Sequence, residues 1–212
     1  MISLHGRVVR GELTLDFDAE IAPGVSHVVG ANGAGKTTLL RVLAGLEALD
    51  AGELRIDGLS MDEPATRHFV PTHERPIAFA FQDHRLFPHL SVIDNVAFPA
   101  RRRGRSRHDA RHEALPHLET VGIGELARRM PGELSIGQRQ RTAIARALAT
   151  PATVLLLDEP LAAIDEASRA TIRDRLRGAA HPTVVWVSHD PDDVDRGSRL
   201  ISVTDGAVRQ TR

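Results

Sequence analysis

A chain of 212 residues, 42% hydrophobic and 26% charged, can bury one sizeable core and falls within the single-domain range. Its formal net charge of -1 denies it a broad basic footprint, so no nucleic-acid partner is expected, and the lack of cysteine rules out disulfides and thiolate metal sites. Residues 1–10 hold no apolar signal core and no stretch approaches the ~20 apolar residues of a membrane span, so the expected place is the cytoplasm, any membrane role coming through a partner.

In chain order, residues 4–9 read as a strand turned at Gly11 into a second, where Leu13, Leu15 and Phe17 alternate with Thr14, Asp16 and Asp18. Residues 25–29 make an apolar strand, and a glycine-rich loop joins it to a helix over 38–44 that stops at Gly45. Short apolar runs at 77–81, 154–157 and 184–187 predict buried strands, and residues 200–208 a closing hairpin across Asp205-Gly206. Between 83 and 149 the strand pattern gives way to helical patterns at 91–97, 109–121 and 135–149. The expectation is an α/β protein: one domain over 1–212, with residues 83–149 as a helical subdomain and 1–82 and 150–212 as the α/β lobe. Arg101-Arg102-Arg103-Gly104-Arg105 reads as a solvated loop, and His108 and His112 as a surface pair to which no transition metal is assigned.

Gly30-Ala31-Asn32-Gly33-Ala34-Gly35-Lys36-Thr37 has the pattern of a phosphate-binding P-loop and lies between a predicted strand and a predicted helix. Glycines let backbone N–H groups curl around phosphates, the helix N-terminus adds its positive end, Lys36 reaches the β- and γ-phosphates, and Thr37 is a magnesium ligand. Lys36 is the only lysine among 27 basic residues, as a site needing a point charge rather than a planar fork would require. Residues 154–157 run into Asp158 and Glu159, a buried strand ending in two carboxylates: Asp158 holds magnesium through water, and Glu159 polarises the attacking water. Asp62-Glu63-Pro64 repeats the letters of Asp158-Glu159-Pro160 without an apolar strand before it, and is expected to be a surface turn.

Leu134-Ser135-Ile136-Gly137-Gln138, at the start of a predicted helix, makes the pattern specific. With it the chain resembles the ATP-binding-cassette (ABC) ATPases over essentially its whole length. The resemblance implies a P-loop NTPase (RecA-like) parallel sheet core with an N-terminal antiparallel β layer and an inserted helical subdomain. It implies that Ser135, Gly137 and Gln138 cap the γ-phosphate of ATP held by a second copy, docked head-to-tail. Ile136 stands where the family usually has glycine, and its β-branched side chain bears on how tightly that pair closes. By the same resemblance Gln82 is the Q-loop glutamine that contacts magnesium and water, Asp165 the D-loop aspartate, and His189 the switch histidine. Each cassette would hold ATP and magnesium through Gly33, Gly35, Lys36, Thr37, Thr38, Gln82 and Asp158. The family tends to stack adenine on an aromatic side chain before the loop; residues 1–10 offer none, which leaves Val9 or Arg10 to pack there.

Residues 81–92 resemble the same region of bacterial importers for oxyanions, polyamines and iron, molybdate importers most of all. That likeness implies integral membrane permease subunits, an extracytoplasmic solute-binding protein and a place on the cytoplasmic face of the membrane. Such importers often carry a further C-terminal regulatory β-domain, which these 212 residues do not include. Two other readings stay open: a soluble ABC ATPase outside transport, and a nucleotide-gated dimerisation module with weak or no hydrolysis.

Overall fold

Polar–apolar alternation builds the first part of the molecule. A computed structural model describes residues 1–178, 181–190, 193–194 and 199–210. Strand β1 (Ile2–Arg10) pairs antiparallel with β2 (Leu13–Ile21) in register from Ile2↔Ile21 to Arg10↔Leu13. Leu15, Phe17, Ala19 and Ile21 are buried on one face of β2, while Asp16, Asp18 and Glu20 stand on the other. There Arg7 pairs with Asp16, and His5 reaches Asp18 and Glu20 across the strands.

The parallel layer begins at β3 (Gly24–Val29), which feeds helix α1 (Lys36–Ala44). Three strands then extend the antiparallel layer: β4 (Ala51–Ile56) pairs with β1, β5 (Leu59–Glu63) with β4, and β6 (His68–Phe69) with β5. Near the chain end, β9 (Thr183–Val187) and β10 (Arg199–Thr204) flank β3, both parallel to it. The closing hairpin to β11 (Ala207–Gln210) brings that strand parallel to β2. These strands run β6-β5-β4-β1-β2-β11-β10-β3-β9. They belong to one compact unit, residues 1–77 and 182–212, whose core holds Ile2, Leu4, Leu15, Ile21, Leu39, Leu40, Leu43 and Leu54.

The second unit is residues 78–181. It comprises most of β7 (Ile77–Ala80), then α2 (Val92–Arg102), α3 (Arg107–Thr120), α4 (Ile136–Leu148), β8 (Val154–Asp158) and α5 (Glu166–Arg177). Ser91, Ser106, Ser135 and Asp165 each cap a helix by accepting an N–H three residues on, satisfying donors that have no partner within the helix. Buried faces of α2 (Val92, Val96, Ala100), α3 (Ala110, Ala114, Leu118) and α4 (Ala143, Ile144, Ala147) meet where the three helices pack. Every residue of β8 is buried. By contact the second unit takes in β8 and α5 as well as the three helices, with its bounds at 77/78 and 181/182.

One expectation fails in the first unit. Asp62 and Glu63 lie in β5, not on a surface turn, and Asp62 is 2% exposed. Its Oδ2 accepts the Leu49 N–H at 2.8 Å. A carboxylate with an assigned donor tolerates burial, so the polar letters concealed a strand.

Candidate active site

The phosphate-binding pattern folds as a loop that only glycine can follow. Gly33 and Gly35 take φ of 77° and 107°, the left-handed region in which side chains strain the backbone. A Cβ at Gly35 would stand 2.5 Å from Leu15 Cδ1, and one at Gly30 would run into the Val203 carbonyl. The Ala34 N–H donates to Ala31 O at 3.2 Å and tightens the loop. Gly35 is the N-cap of α1 and has no side chain to cap it, so the first-turn N–H groups are offered to an anion instead. Lys36, 6% exposed, donates from Nζ to Gly30 O at 2.8 Å and Ala31 O at 2.9 Å, which holds its ammonium against the loop. Thr37 and Thr38 are half-buried on the same turn, while Ala31 and Asn32 are exposed. Together the cradle, ammonium and hydroxyls fit a polyphosphate.

His189 lies in this same unit, exposed just beyond β9. Its neighbours fix the turn: Ser188 Oγ donates to Asp193 Oδ2 at 2.5 Å and accepts the Asp190 N–H at 3.1 Å. Val9 is 43% exposed, whereas Arg10 is tied to Asp50 Oδ2 at 3.0 Å and Ala48 O at 2.8 Å. Of the two residues suggested for an adenine face, both are exposed, and Val9 is the one without side-chain polar ties.

The remaining residues named from the sequence fall in the second unit. Asp158 ends β8 at 3% exposure, and Glu159 follows at φ 48°, a left-handed backbone that a non-glycine residue adopts at a cost of roughly 1–3 kcal/mol. Gln82 Nε2 donates to Glu159 Oε2 at 3.4 Å, so residues 77 apart in sequence come together.

Ser135 and Gln138 form a reciprocal capping box at the start of α4: Ser135 Oγ accepts the Gln138 N–H at 3.2 Å, and Gln138 Oε1 accepts the Ser135 N–H at 3.0 Å. Gly137 is a packing requirement as well, since a Cβ there would stand 2.7 Å from Ala163 O. Asp165 caps α5 and pairs with Arg141 of α4. The Ser168 hydrogen bond, ahead of Arg141, holds the Asp165 carboxyl below its ordinary range. Ser135, Gly137, Arg141, Ala163 and Asp165 line a cavity of about 320 Å³. Ile136, the first residue of α4, is 59% exposed. Arg141, Arg146 and Asn95 were not singled out from the sequence: Arg141 and Arg146 act on residues 24 and 61–62 positions away, and Asn95 on the loop four to eight residues before it, relations that no motif spacing encodes.

The sequence profile of the ABC transporter family matches residues 16–162. The chain belongs to the ABC transporter family. The cassette is 45% identical over 198 residues to the molybdenum import ATP-binding protein ModC of Thiobacillus denitrificans, covering 91% of this chain and 53% of that one. It is 39% identical over 201 residues to the Fe(3+) ions import ATP-binding protein FbpC of Rhizobium etli, covering 92% and 55%. It thus spans about half the length of these relatives. A solved dimer of the ATP-binding cassette MJ0796, in a post-hydrolysis state bound to ADP and Pi, superposes with a TM-score of 0.82 at 30% identity, covering 98% of this chain and 96% of that one. The α/β P-loop fold expected from the sequence is therefore the observed one.

Proposed function

We propose that the chain is the ATP-binding and ATP-hydrolysing subunit of a membrane transporter. It works as a head-to-tail pair with a second copy of itself and drives integral membrane permease subunits from the cytoplasmic face. The glycine cradle at the start of α1, with the Lys36 ammonium held against it, carries this reading. Among the described residues no helix is long and apolar enough to cross a membrane. Dimeric MJ0796 cassettes and importer relatives support the pair and the permease.

Phosphoryl transfer asks a protein mainly for position and charge. Backbone N–H groups of the loop and the positive end of α1 hold the phosphates, Lys36 reaches the β- and γ-phosphates, and Ser135 and Gly137 of the second copy cover the γ-phosphate. Thr37, Gln82 and Asp158 are oxygen donors of the kind magnesium takes; bound there, the ion would neutralise charge on the phosphate oxygens. Glu159 accepts a proton from the attacking water, with Gln82 and His189 orienting it. The water oxygen bonds to the γ-phosphorus, the bond to the β-phosphate oxygen breaks, and ADP and phosphate leave.

The cargo proposed is molybdate or another oxyanion, delivered by an extracytoplasmic solute-binding protein. The 81–92 segment and the molybdenum-import relatives support it. Ile136 favours a second reading, a non-enzymatic, nucleotide-gated dimerisation module that has lost turnover, because its exposed side chain stands at the first residue of α4. Phosphate release with ATP and magnesium, measured alongside molecular mass, separates the two. Wild-type protein should hydrolyse ATP slowly, and Glu159→Gln should bind ATP, release no phosphate and double in mass. Tight ATP binding with no phosphate from wild type, even beside its permease, would favour the module; no ATP binding at all overturns both.

A further inference from the structure

The segment from Gln82 to Ser91 leaves β7 and enters α2 along a strained path. His84 and Arg85 are consecutive non-glycine residues in the left-handed region, at φ 60° and 44°. Such a pair persists only where surrounding structure over-determines it. Two side chains do this. Asn95, fully buried in α2, accepts the Phe87 N–H at 2.8 Å and donates to Phe87 O, Leu90 O and Ser91 O at 3.0–3.1 Å, fixing the far half of the segment. Arg146, in the last turn of α4, fixes the near half. Its Nη2 donates to His84 O at 2.8 Å and its Nη1 to Arg85 O at 2.7 Å, with the guanidinium 5.5 Å from the Phe87 ring centre.

These bonds take up the carbonyls of the two left-handed residues with one planar fork. A lysine ammonium, a single point charge, cannot reproduce that geometry. Two residues before this clamp stands Gln82, bonded to Glu159. At the other end of the same helix stand Ser135 and Gln138, eleven and eight residues before Arg146, or about 16 and 12 Å along an α-helix. One helix therefore starts at the signature, residues 134–138, and grips the Gln82 segment at its end.

We infer that Arg146 is a positioning residue for hydrolysis: by clamping the His84–Arg85 turn it holds Gln82 against Glu159 and ties that contact to the signature end of α4. This rests on reading Gln82 and Glu159 as hydrolytic residues, so the test includes both. Steady-state ATP hydrolysis is measured for the full chain as wild type, Arg146→Lys, Gln82→Ala and the double variant. Amide hydrogen exchange is followed across residues 82–90. The expected result for Arg146→Lys is a kcat lower by about tenfold with KM for ATP within about twofold, because the loop at α1 is untouched. Exchange over 82–90 should accelerate while β1, β2 and β3 keep their protection, which separates the clamp from a general loss of folding.

In the double variant kcat should match that of Gln82→Ala alone, since a clamp acting through Gln82 has nothing left to position. Independent, multiplicative losses would overturn the proposal, as would unchanged exchange over 82–90. If Gln82→Ala lowers kcat and Arg146→Lys does not, the clamp alone is wrong. If Gln82→Ala leaves kcat unchanged, the hydrolytic reading of Gln82 falls and the proposal with it.

Discussion

Two arginines, one buried and one half-buried, do similar work in the two units and differ in what stands beside them. Arg75 donates to Val42 O, Leu43 O, Val70 O and Met61 O, anchoring the C-terminal end of the helix that starts at the phosphate loop. Arg146 donates to His84 O and Arg85 O from the C-terminal end of the helix that starts at the signature. Burial pushes each guanidinium down to about 10. Arg75 also faces the Asp62 carboxylate, which partly offsets the desolvation; for Arg146 desolvation is the cause. In both cases a helix whose first turn is proposed to meet phosphate is secured at its far end by carbonyl-binding arginine. The first anchor ties α1 to the segments carrying Met61 and Val70, the second ties α4 to the turn that follows Gln82.

The largest effect should come from the first anchor. Arg75→Met leaves four carbonyls and a buried carboxylate without their cation, and the loss of unfolding free energy should be about 3–5 kcal/mol. Arg146→Met strands two carbonyls and no acid, so about 1–3 kcal/mol is expected. Urea titration of both variants measures the contrast; equal losses would break it.

Next is the glycine contrast. Gly137→Ala drives a Cβ into Ala163 O and should cost about 1–3 kcal/mol by overpacking. Gly33→Ala meets nothing within 4 Å and bears only the left-handed backbone, about 1 kcal/mol. Thermal unfolding of the two variants orders them.

The acids sharpen the comparison through opposite pH signs. Arg111 first, then Arg107 and Ser91, hold the Asp94 carboxyl far below its ordinary value of 3.8. Its contribution is therefore complete above about pH 4 and is lost as pH falls through the folded value. Burial raises Asp62 above 3.8, so the fold binds a proton there more readily than the open chain. Stability is then lost as pH rises from 3.8 through the folded value. Carboxyl titration by NMR should place the two on opposite sides of 3.8, and Asp94→Asn should flatten the acid limb of the stability curve by about 1 kcal/mol.

The smallest change in stability is expected at Ile136→Gly, under about 1 kcal/mol because the side chain is exposed. If Ile136 slows closure of the pair, the same variant should raise turnover at saturating ATP. Unchanged turnover would remove Ile136 from that account.

Legibility in the sequence follows the same divide. The phosphate loop was readable because its requirements are local: glycine at left-handed positions, and a lysine whose bonds reach back five and six residues. The strand β8 and its terminal carboxylates were readable because an unbroken apolar run fits burial on both faces. Asp62 was misread because its donor, the Leu49 N–H, lies thirteen residues earlier and no spacing rule reveals it. Arg146, whose bonds span 61 and 62 residues, carries no local signal. Left-handed His84 and Arg85 gave no signal, since their strain is sustained from outside the segment.

Equilibrium titration of ATP onto the full chain and onto Lys36→Ala tests the central claim most directly. The account predicts saturable binding by the wild type and a loss of about ten- to a hundredfold in affinity for the variant, the worth of charge-assisted hydrogen bonds to phosphate. Equal affinity in the two proteins would place the triphosphate somewhere other than the glycine cradle and contradict it.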